Sequence, residues 1–390
     1  MRPLCGIRVI DFGHVWAGPY CAATLADLGA EVIKIESFKR IDVHRRQGPY
    51  PGNQPGLNRS GVWNAQNRGK KSVALDLTVE EDRERAKDLV RHGDVVIENF
   101  SPGVMKKLGL DYDVLRTVKP NIIMASLSAF GQQGPQRAYV GYGPSLDAWS
   151  GLCSLNAYPD GPPQAIGGMF PDTASALYAC FAIVAALERR DATGEGRYID
   201  LSELEVSALL LADLLVQFPG EEIPSAYAGD SDPYCFPQGT YPCAGDDEWI
   251  TLSIEDEASW AGLCDVLGEP AWAGDAALRT MEGRRERGDA IDAAIRRWTS
   301  ARTSRDAFNA LQAHNVPAGI ALTIPELLKD DQMLAREFFR EVEHPEVGRQ
   351  TIYAPIWRFD GEAGETQPAP LLGEDTDEIL NMFLGSRKLG

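Results

Sequence analysis

The chain has 390 residues, more than one hydrophobic core usually supports, so at least two domains are expected. Asp and Glu number 57 against 38 Lys and Arg, which gives a formal charge of −19 at pH 7. This acidity disfavours general binding to nucleic acid and adsorption to anionic membranes, because both require a basic surface.

The cysteines and the apolar runs bear on location. Seven cysteines are scattered along the chain without a Cys-x-x-Cys pair, which predicts reduced thiols. No run approaches the roughly 20 apolar residues of a membrane span, and the first residues lack the features of a secretory signal. The five histidines show no metal-binding spacing. We therefore expect a cytoplasmic protein without a bound metal.

Strands and helices alternate through the first half of the chain. Apolar, β-branched runs and helical spacing predict a strand over 6–12, a helix over 17–28 and a strand over 31–35. The pattern continues with predicted strands over 72–77, 95–98 and 121–126 and predicted helices over 78–91, 173–190 and 202–217. Such units form parallel sheets, so we predict a doubly wound α/β domain with its ligand at the carboxyl ends of the strands.

The composition changes after residue 218. Pro and Gly punctuate the chain from 218 to 245, which predicts a crossing between domains. A strand over 248–254 and helices over 256–267, 285–299 and 303–313 then predict a smaller α+β domain, and a last helix is predicted over 375–383. Three common motifs are absent: the phosphate-binding P-loop, the dinucleotide fingerprint GxGxxG and the nucleophile elbow GxSxG.

One stretch of the acidic chain is basic. Between residues 34 and 71, nine basic and two acidic residues give a net charge of +7, so the rest of the chain carries −26. The basic residues of this window are Lys34, Lys39, Arg40, Arg45, Arg46, Arg59, Arg68, Lys70 and Lys71. The basic window predicts a place where an anionic ligand binds, although a solvated loop with excess Lys and Arg has the same composition.

Asp172 is the candidate for chemistry. It follows a proline at the start of a long apolar helix, where an Asp commonly caps the free backbone N–H groups. The same position predicts an ionised carboxylate at the edge of the sheet, and such a carboxylate in a dry pocket can attack an acyl carbon. The pair Gly167–Gly168 would then allow backbone N–H groups to approach a developing oxyanion.

Six segments in their order and spacing carry a resemblance to a known family. They are Val9–Glu36, Asn67–Leu77, Val96–Leu115, Pro120–Pro135, Pro171–Glu205 and Pro370–Leu380. In these segments the chain resembles the class III CoA-transferases, which include formyl-CoA transferase and the carnitine and bile-acid CoA-transferases. The similarity runs nearly from end to end.

The resemblance implies an architecture. Residues 1–218 would form the first part of a Rossmann-like large domain, 219–330 a small α+β domain, and 331–390 a C-terminal segment that returns to the large domain. Members of the family form interlocked homodimers, with the active site at the dimer interface. We therefore expect a homodimer whose substrates are acyl-CoA and a small carboxylic acid.

The resemblance also implies a mechanism and a set of site residues. Asp172 matches the catalytic aspartate, which forms an anhydride with the donor acyl group and then a thioester with coenzyme A. The residues that match CoA contacts are His14, Val15, Ala17, Leu75, Asn99, Phe100 and Lys107. Trp16, Tyr142 and the Gly167–Gly168 pair are predicted to border the substrate. Trp16 stands where formyl-CoA transferase has Gln, which favours a larger or less polar acceptor acid.

Two other functions fit the same resemblance. A 2-methylacyl-CoA racemase belongs to the same superfamily but needs a His–Asp pair, and Tyr142 stands near the place of that His. A non-catalytic acyl-CoA-binding subunit of a heteromer is the other alternative, and the presence of Asp172 argues against it.

Overall fold

We describe a computed structural model of the chain, which covers residues 2–157, 161–167, 169–218, 232–268 and 270–384. The chain divides into two compact units. The first comprises Met1–Leu152, Ala165–Ala212 and Asp331–Gly390, and the second comprises Cys153–Gln164 and Asp213–Asp330. Of the predicted crossing over residues 218–245, residues 219–231 lie outside the described residues.

The first unit is built on a parallel sheet of six strands in the order β3-β2-β1-β4-β5-β6. Its strands are β1 (Arg8–Asp11), β2 (Glu31–Glu36), β3 (Lys70–Ala74), β4 (Val95–Glu98), β5 (Ile123–Ser128) and β6 (Arg197–Ser202). The predicted α/β sheet is thereby confirmed. The strand order reverses between β1 and β4, and a crevice for ligands is expected at such a reversal.

Helices cover both faces of this sheet. The helices of the chain are α1 (Ala17–Asp27), α2 (Gly61–Gln66), α3 (Glu80–Arg91), α4 (Val104–Leu108), α5 (Tyr112–Val118), α6 (Gly143–Ser150), α7 (Leu152–Leu155), α8 (Phe170–Thr193), α9 (Glu203–Leu209), α10 (Ala212–Gln217), α11 (Glu257–Val266), α12 (Met281–Glu286), α13 (Gly288–Thr299), α14 (Ser304–Ala313), α15 (Ile324–Leu327), α16 (Asp331–Ala335) and α17 (Thr376–Leu384). Short 3-10 helices occur at Val43–Arg46, Pro51–Asn53 and Ala276–Arg279. Helices α1 and α8 share one core with alternate strand residues, while α3, α4, α5 and α17 share the other core with the remaining strand residues.

The second unit has its own core. Strands β7 (Gln238–Pro242), β8 (Trp249–Ser253) and β9 (Ala318–Ile320) form an antiparallel sheet. Apolar residues of α11, α13 and α14 pack against it. In the first unit, two small antiparallel pairs complete the strands: β10 (Phe339–His344) with β11 (Gly348–Tyr353), and β12 (Arg358–Phe359) with β13 (Glu362–Ala363).

Helix α8 is the one helix among the described residues that is long and apolar enough to cross a membrane. Of its most apolar 18-residue window, 44% is buried inside the protein. Alanine, cysteine and isoleucine side chains of this helix pack against α1 and the sheet. In this structure α8 is a core helix. The expectation that no run approaches the length of a membrane span is wrong for this helix, which is long and apolar enough to cross one.

The structure changes some predicted elements. The helix predicted over 202–217 is two helices, because α9 ends in a tight turn in which the N–H groups of Leu210 and Leu211 donate to Ser207 and Ala208. Strand β3 begins at Lys70, two residues before its predicted start. The charged residues at its beginning hid it from an apolar pattern, yet Lys70 is buried.

A buried ionic cluster lies beneath the turn that follows β1. Asp11 accepts a hydrogen bond from Lys70 Nζ at 2.8 Å and lies 3.5 Å from Lys34 Nζ. Lys34 also donates to the carbonyl of Gly13, and Lys70 donates to the carbonyl of Pro19. The charges of the two lysines outweigh the effect of burial and lower the pKa of Asp11. The cluster therefore ties three neighbouring strands to both ends of the turn.

Ion pairs account for most of the basic window. Six of its nine basic residues pair with acidic side chains: Lys34 and Lys70 with Asp11, Lys39 with Asp76, Arg45 with Glu36, Arg68 with Asp27 and Lys71 with Glu31. Lys34, Arg45, Arg68 and Lys70 are buried. These four side chains are paired inside the fold and do not form a surface that an anion could reach.

Replacing Asp11 tests this cluster. Asp11→Asn keeps the side-chain shape but leaves two buried ammonium groups without a counter-charge, so we expect unfolding to become easier by about 3–5 kcal/mol. The control Asp113→Asn removes the charge of a side chain that is 83% exposed and should change the free energy of unfolding by about 0–1 kcal/mol. Denaturant titration measures both, and equal effects would contradict a structural role for the cluster.

Candidate active site

A cavity of about 290 Å³ opens at the carboxyl ends of β1, β4 and β5. Its walls come from the turn after β1, the segments after β4 and β5, the start of α8 and the start of α9. The lining residues are His14, Val15, Asn99, Phe100, Ser101, Pro102, Ser128, Ala129, Phe130, Arg137, Tyr139, Val140, Gly141, Tyr142, Asp172 and Glu203. This is the edge where the sequence predicted a ligand.

The turn after β1 is held rigidly. The side-chain amide of Asn99 accepts from His14 N at 2.7 Å and donates to His14 O at 2.8 Å. The next residue, Val15, has φ 64°, a conformation that costs energy for a β-branched residue. Its N–H donates to Asp42 Oδ2 at 2.9 Å. A Cβ at Gly18 would lie 2.9 Å from the Asn99 amide oxygen, so only glycine allows this clamp.

The rings of His14 and Phe100 meet at the cavity. Their centroids are 5.4 Å apart. Burial, together with the charge of Lys34, lowers the pKa of His14, so its ring is neutral at pH 7. Phe100 is fixed through its backbone N–H, which donates to Glu98 Oε2 at 2.8 Å. Burial raises the pKa of Glu98 to about 7.

Asp172 reaches the cavity from the first turn of α8. The helix begins at Phe170, and its N-cap is Met169 without a side-chain cap, so the interpretation of Asp172 as the capping residue is wrong. The side chain is 7% exposed, and its Oδ2 is buried without a hydrogen-bond partner among the described residues. Burial raises its pKa to about 6. Desolvation therefore opposes the helix dipole, yet a carboxyl group with this pKa is still mostly ionised at pH 7.

Gly143, the first residue of α6, is close to this carboxylate. A Cβ at Gly143 would lie 2.5 Å from Asp172 Oδ2 and 3.3 Å from the sulfur of Met169. The Asp172 carboxylate can therefore occupy this space only because residue 143 is a glycine. The sequence analysis did not select Gly143, because only the folded chain brings it beside Asp172.

Glu203 is a second acid that the sequence analysis did not select. It is the first residue of α9, is 7% exposed and lines the cavity with Asp172. Burial and the charge of Asp172 raise its pKa to about 8. In the sequence it reads as one of two acids that favour a helix start, and nothing distinguishes it from the exposed Glu205.

A second cavity of about 300 Å³ adjoins the first, and His14, Phe100 and Ser101 line both. The acids Glu36 and Asp76 are part of its lining, and the apolar residues of the lining are Phe12, Ile35, Leu75, Leu77, Val104 and Leu108. Arg40, a member of the basic window, also belongs to the lining of this second cavity.

The other predicted site residues fall outside these cavities. Ala17 is buried at the start of α1, and Lys107 is exposed on α4. The Trp16 indole donates to Thr173 Oγ1 at 3.1 Å, so it braces the start of α8 and is not among the lining residues. Gly167 has φ 95° and is not in the lining either. Gly168 lies outside the described residues.

The fold and site define a doubly wound α/β protein with a buried carboxylate at its switch-point crevice. Residues 4–376 match the model of CoA-transferase family III. The chain is 32% identical to succinyl-CoA–D-citramalate CoA-transferase of Chloroflexus aurantiacus, covering 98% of this chain and 94% of that one. It is 34% identical to succinate–glutarate CoA-transferase of Agrobacterium fabrum, covering 97% and 95%.

A solved structure agrees with this assignment. A CAIB/BAIF family protein from Brucella suis superimposes with a TM-score of 0.85 at 30% identity, over 98% of this chain and 99% of that one. The chain belongs to CoA-transferase family III, which confirms the resemblance noted from its six segments.

The position of Gly143 predicts a site mutant. Gly143→Ala would push Asp172 from its place, and a displacement of about 1 Å at a reacting group can cost roughly 100-fold in rate. We expect CoA transfer to fall by about that factor while the fold persists. The control Gly274→Ala adds a Cβ that meets nothing within 4 Å and should leave the rate unchanged. Steady-state kinetics distinguish the two, and an unimpaired Gly143→Ala enzyme would contradict the close approach.

Proposed function

We propose that this protein transfers CoA from an acyl-CoA donor to a free carboxylic acid through covalent intermediates on Asp172. The observation that carries the proposal is the Asp172 carboxylate, which is buried in a cavity and has one oxygen without a hydrogen bond to any residue that the structure describes. A carboxylate with few hydrogen bonds is a stronger nucleophile than a solvated one.

The proposed reaction has four steps, each an acyl transfer. The Asp172 carboxylate attacks the donor thioester carbonyl, forming a mixed anhydride and releasing the CoA thiolate. The thiolate attacks the aspartyl carbonyl, giving an aspartyl-CoA thioester and the donor acid. The acceptor carboxylate attacks that thioester and again releases CoA thiolate, which attacks the acceptor carbonyl of the second anhydride. Acceptor acyl-CoA leaves, and the Asp172 carboxylate is regenerated.

The two adjoining cavities suit the two parts of the substrate. We assign the thioester to the cavity of Asp172 and the rest of CoA to the second cavity, which offers apolar lining residues and the Arg40 guanidinium for a phosphate. The ring pair of His14 and Phe100 borders both cavities, so a chain that passes between them meets both rings.

The relatives and the lining of the Asp172 cavity support a proposal for the acceptor class. The names of the two CoA-transferases from Chloroflexus aurantiacus and Agrobacterium fabrum refer to dicarboxylic acids: succinate, glutarate and citramalate. Arg137 and the hydroxyl groups of Tyr139 and Tyr142 belong to the Asp172 cavity, where they can bind a second carboxylate. We therefore propose a dicarboxylic acceptor. The expectation of a larger or less polar acid depended on Trp16, whose indole N–H donates to Thr173 Oγ1.

An exposed apolar stripe on α8 supports the homodimer. Leu177, Phe181 and Val184 are spaced along one face of this helix and are 41%, 75% and 39% exposed. A stripe of this kind on a helix that is otherwise in the core is typical of a surface covered by a partner. We propose that a second copy of the chain covers it, in the interlocked form that the family implies.

The mass of the protein in solution tests the proposed dimer. Sedimentation equilibrium should give twice the chain mass of 42.6 kDa, and dilution to nanomolar concentration should not dissociate it, because interlocked rings cannot separate while folded. A species of 42.6 kDa over the whole concentration range would contradict the proposal.

Removal of the nucleophile tests the chemistry. Asp172→Asn should lower CoA transfer by roughly 10⁴-fold or more, as for other covalent nucleophiles, while the dissociation constant for CoA changes little. Asp191→Asn, at an exposed position near the end of the same helix, should keep the wild-type rate. A coupled assay measures turnover and calorimetry measures binding. An Asp172→Asn enzyme with near wild-type turnover would exclude the covalent route.

A further inference from the structure

The second acid of the cavity has no part in the mechanism above. We propose that Glu203 is a positioning residue for Asp172: near neutral pH the two carboxyl groups together carry one proton, and Glu203 keeps it while Asp172 remains ionised for attack. This inference rests on the proposed function, since it concerns the ionisation of the nucleophile.

The fold brings the two acids to one place. Asp172 is in the first turn of α8 and Glu203 is the first residue of α9, and both side chains line the same cavity. The start of α9 is fixed by Ser202, which ends β6 and whose Oγ accepts from the backbone N–H of Glu205. Glu203 therefore lies on a rigid strand-to-helix junction and not on a loose loop.

The surroundings of the pair disfavour two negative charges. Both side chains are 7% exposed, and Asp172 Oδ2 has no hydrogen-bond partner in the part of the chain that the structure describes. Two buried carboxylates that interact cannot both ionise at neutral pH without a large penalty, so one of them retains a proton.

Other charged and titratable groups surround the pair. In the cavity these are His14, Arg137, Tyr139 and Tyr142, and on the packed elements they are Asp147 of α6 and Asp200 of β6. His14 is neutral at pH 7, Arg137 is exposed, Asp147 accepts from Ile166 N, and Asp200 accepts from Gln132 N.

The two acids differ in the order in which they ionise. Burial raises the pKa of Asp172 to about 6, whereas burial and the charge of Asp172 together raise that of Glu203 to about 8. As the pH rises, Asp172 loses its proton first and Glu203 second. Between these values the pair holds an ionised Asp172 and a neutral Glu203, the arrangement that suits nucleophilic attack.

The pH profile of kcat/KM tests the pair. The wild-type profile should be bell-shaped, with an acid limb near pH 6 from Asp172 and an alkaline limb near pH 8 from Glu203. Glu203→Gln mimics the protonated acid and should abolish the alkaline limb while keeping the acid limb. At pH 9 the wild type should have lost about tenfold relative to pH 7, and Glu203→Gln less than about twofold.

Two further variants make the test specific. Glu205→Gln lies on the same turn but is exposed, so it should retain the wild-type profile. Glu203→Leu has no polar atom and should be slower than Glu203→Gln by about tenfold or more, although both remove the same charge. An alkaline limb that persists in Glu203→Gln would overturn the proposal.

An infrared titration tests the pair without turnover. A band of a protonated carboxyl group should disappear near pH 8 in the wild type, and in Asp172→Asn its midpoint should move to lower pH, because the repelling charge is gone. The band of Glu98, near pH 7, should not move. An unmoved upper midpoint would overturn the proposal even if Glu203→Gln fails to fold. If the wild type transfers no CoA at any pH, the proposed function fails instead, and this titration still decides on the pair.

Discussion

The buried pairing of Asp11 with Lys34 and Lys70 is the interaction on which the rest of the site depends. It lies at the carboxyl end of the central strand β1, where the strand order reverses. The two lysines also bind backbone carbonyls on either side of the following turn, so the turn that carries His14 and Val15 into the cavity has few alternative conformations. Burying three charged groups costs free energy. We interpret their presence near the ligand crevice as a means of fixing the position of that turn.

The cavity built on this turn sets two requirements against each other. A nucleophile should be poorly solvated, yet burial favours the protonated form, which cannot attack. Asp172 stands at the first turn of a helix, where the dipole favours its charge, and burial still raises its pKa. A neighbouring acid that holds the proton would reconcile the two requirements, and a glycine at position 143 leaves the carboxylate its space.

Features that depend on the residue pattern were predictable from the sequence, whereas features that depend on contacts between distant residues were not. The parallel sheet, the helices around it and the cavity at its carboxyl edge were predictable, because periodicity and strand–helix alternation dictate them. Lys70 was misread, since a buried lysine looks like a surface residue until its partner Asp11 is seen. Gly143 and Glu203 were missed for the same reason. Their roles come from closeness to Asp172, which one sequence without its fold does not contain.

The resemblance to the family predicted site residues that the residue pattern alone does not indicate. Some of these residues line the cavities and others do not. Asn99 and Phe100 line the cavities, and Asn99 clamps the turn after β1. Lys107 and Trp16 do not line them, because one faces solvent on α4 and the other braces α8. A matched position therefore identifies a segment near the site, while the side chain at that position decides what it contacts.

The central claim is that Asp172 becomes covalently acylated during transfer. The direct measurement is mass spectrometry of peptides from enzyme that was mixed with an acyl-CoA donor and quenched with hydroxylamine. The account predicts a hydroxamate on the peptide that contains Asp172, formed only when the donor is present and absent from Asp172→Asn. An enzyme that turns over acyl-CoA while this peptide stays unmodified would contradict it.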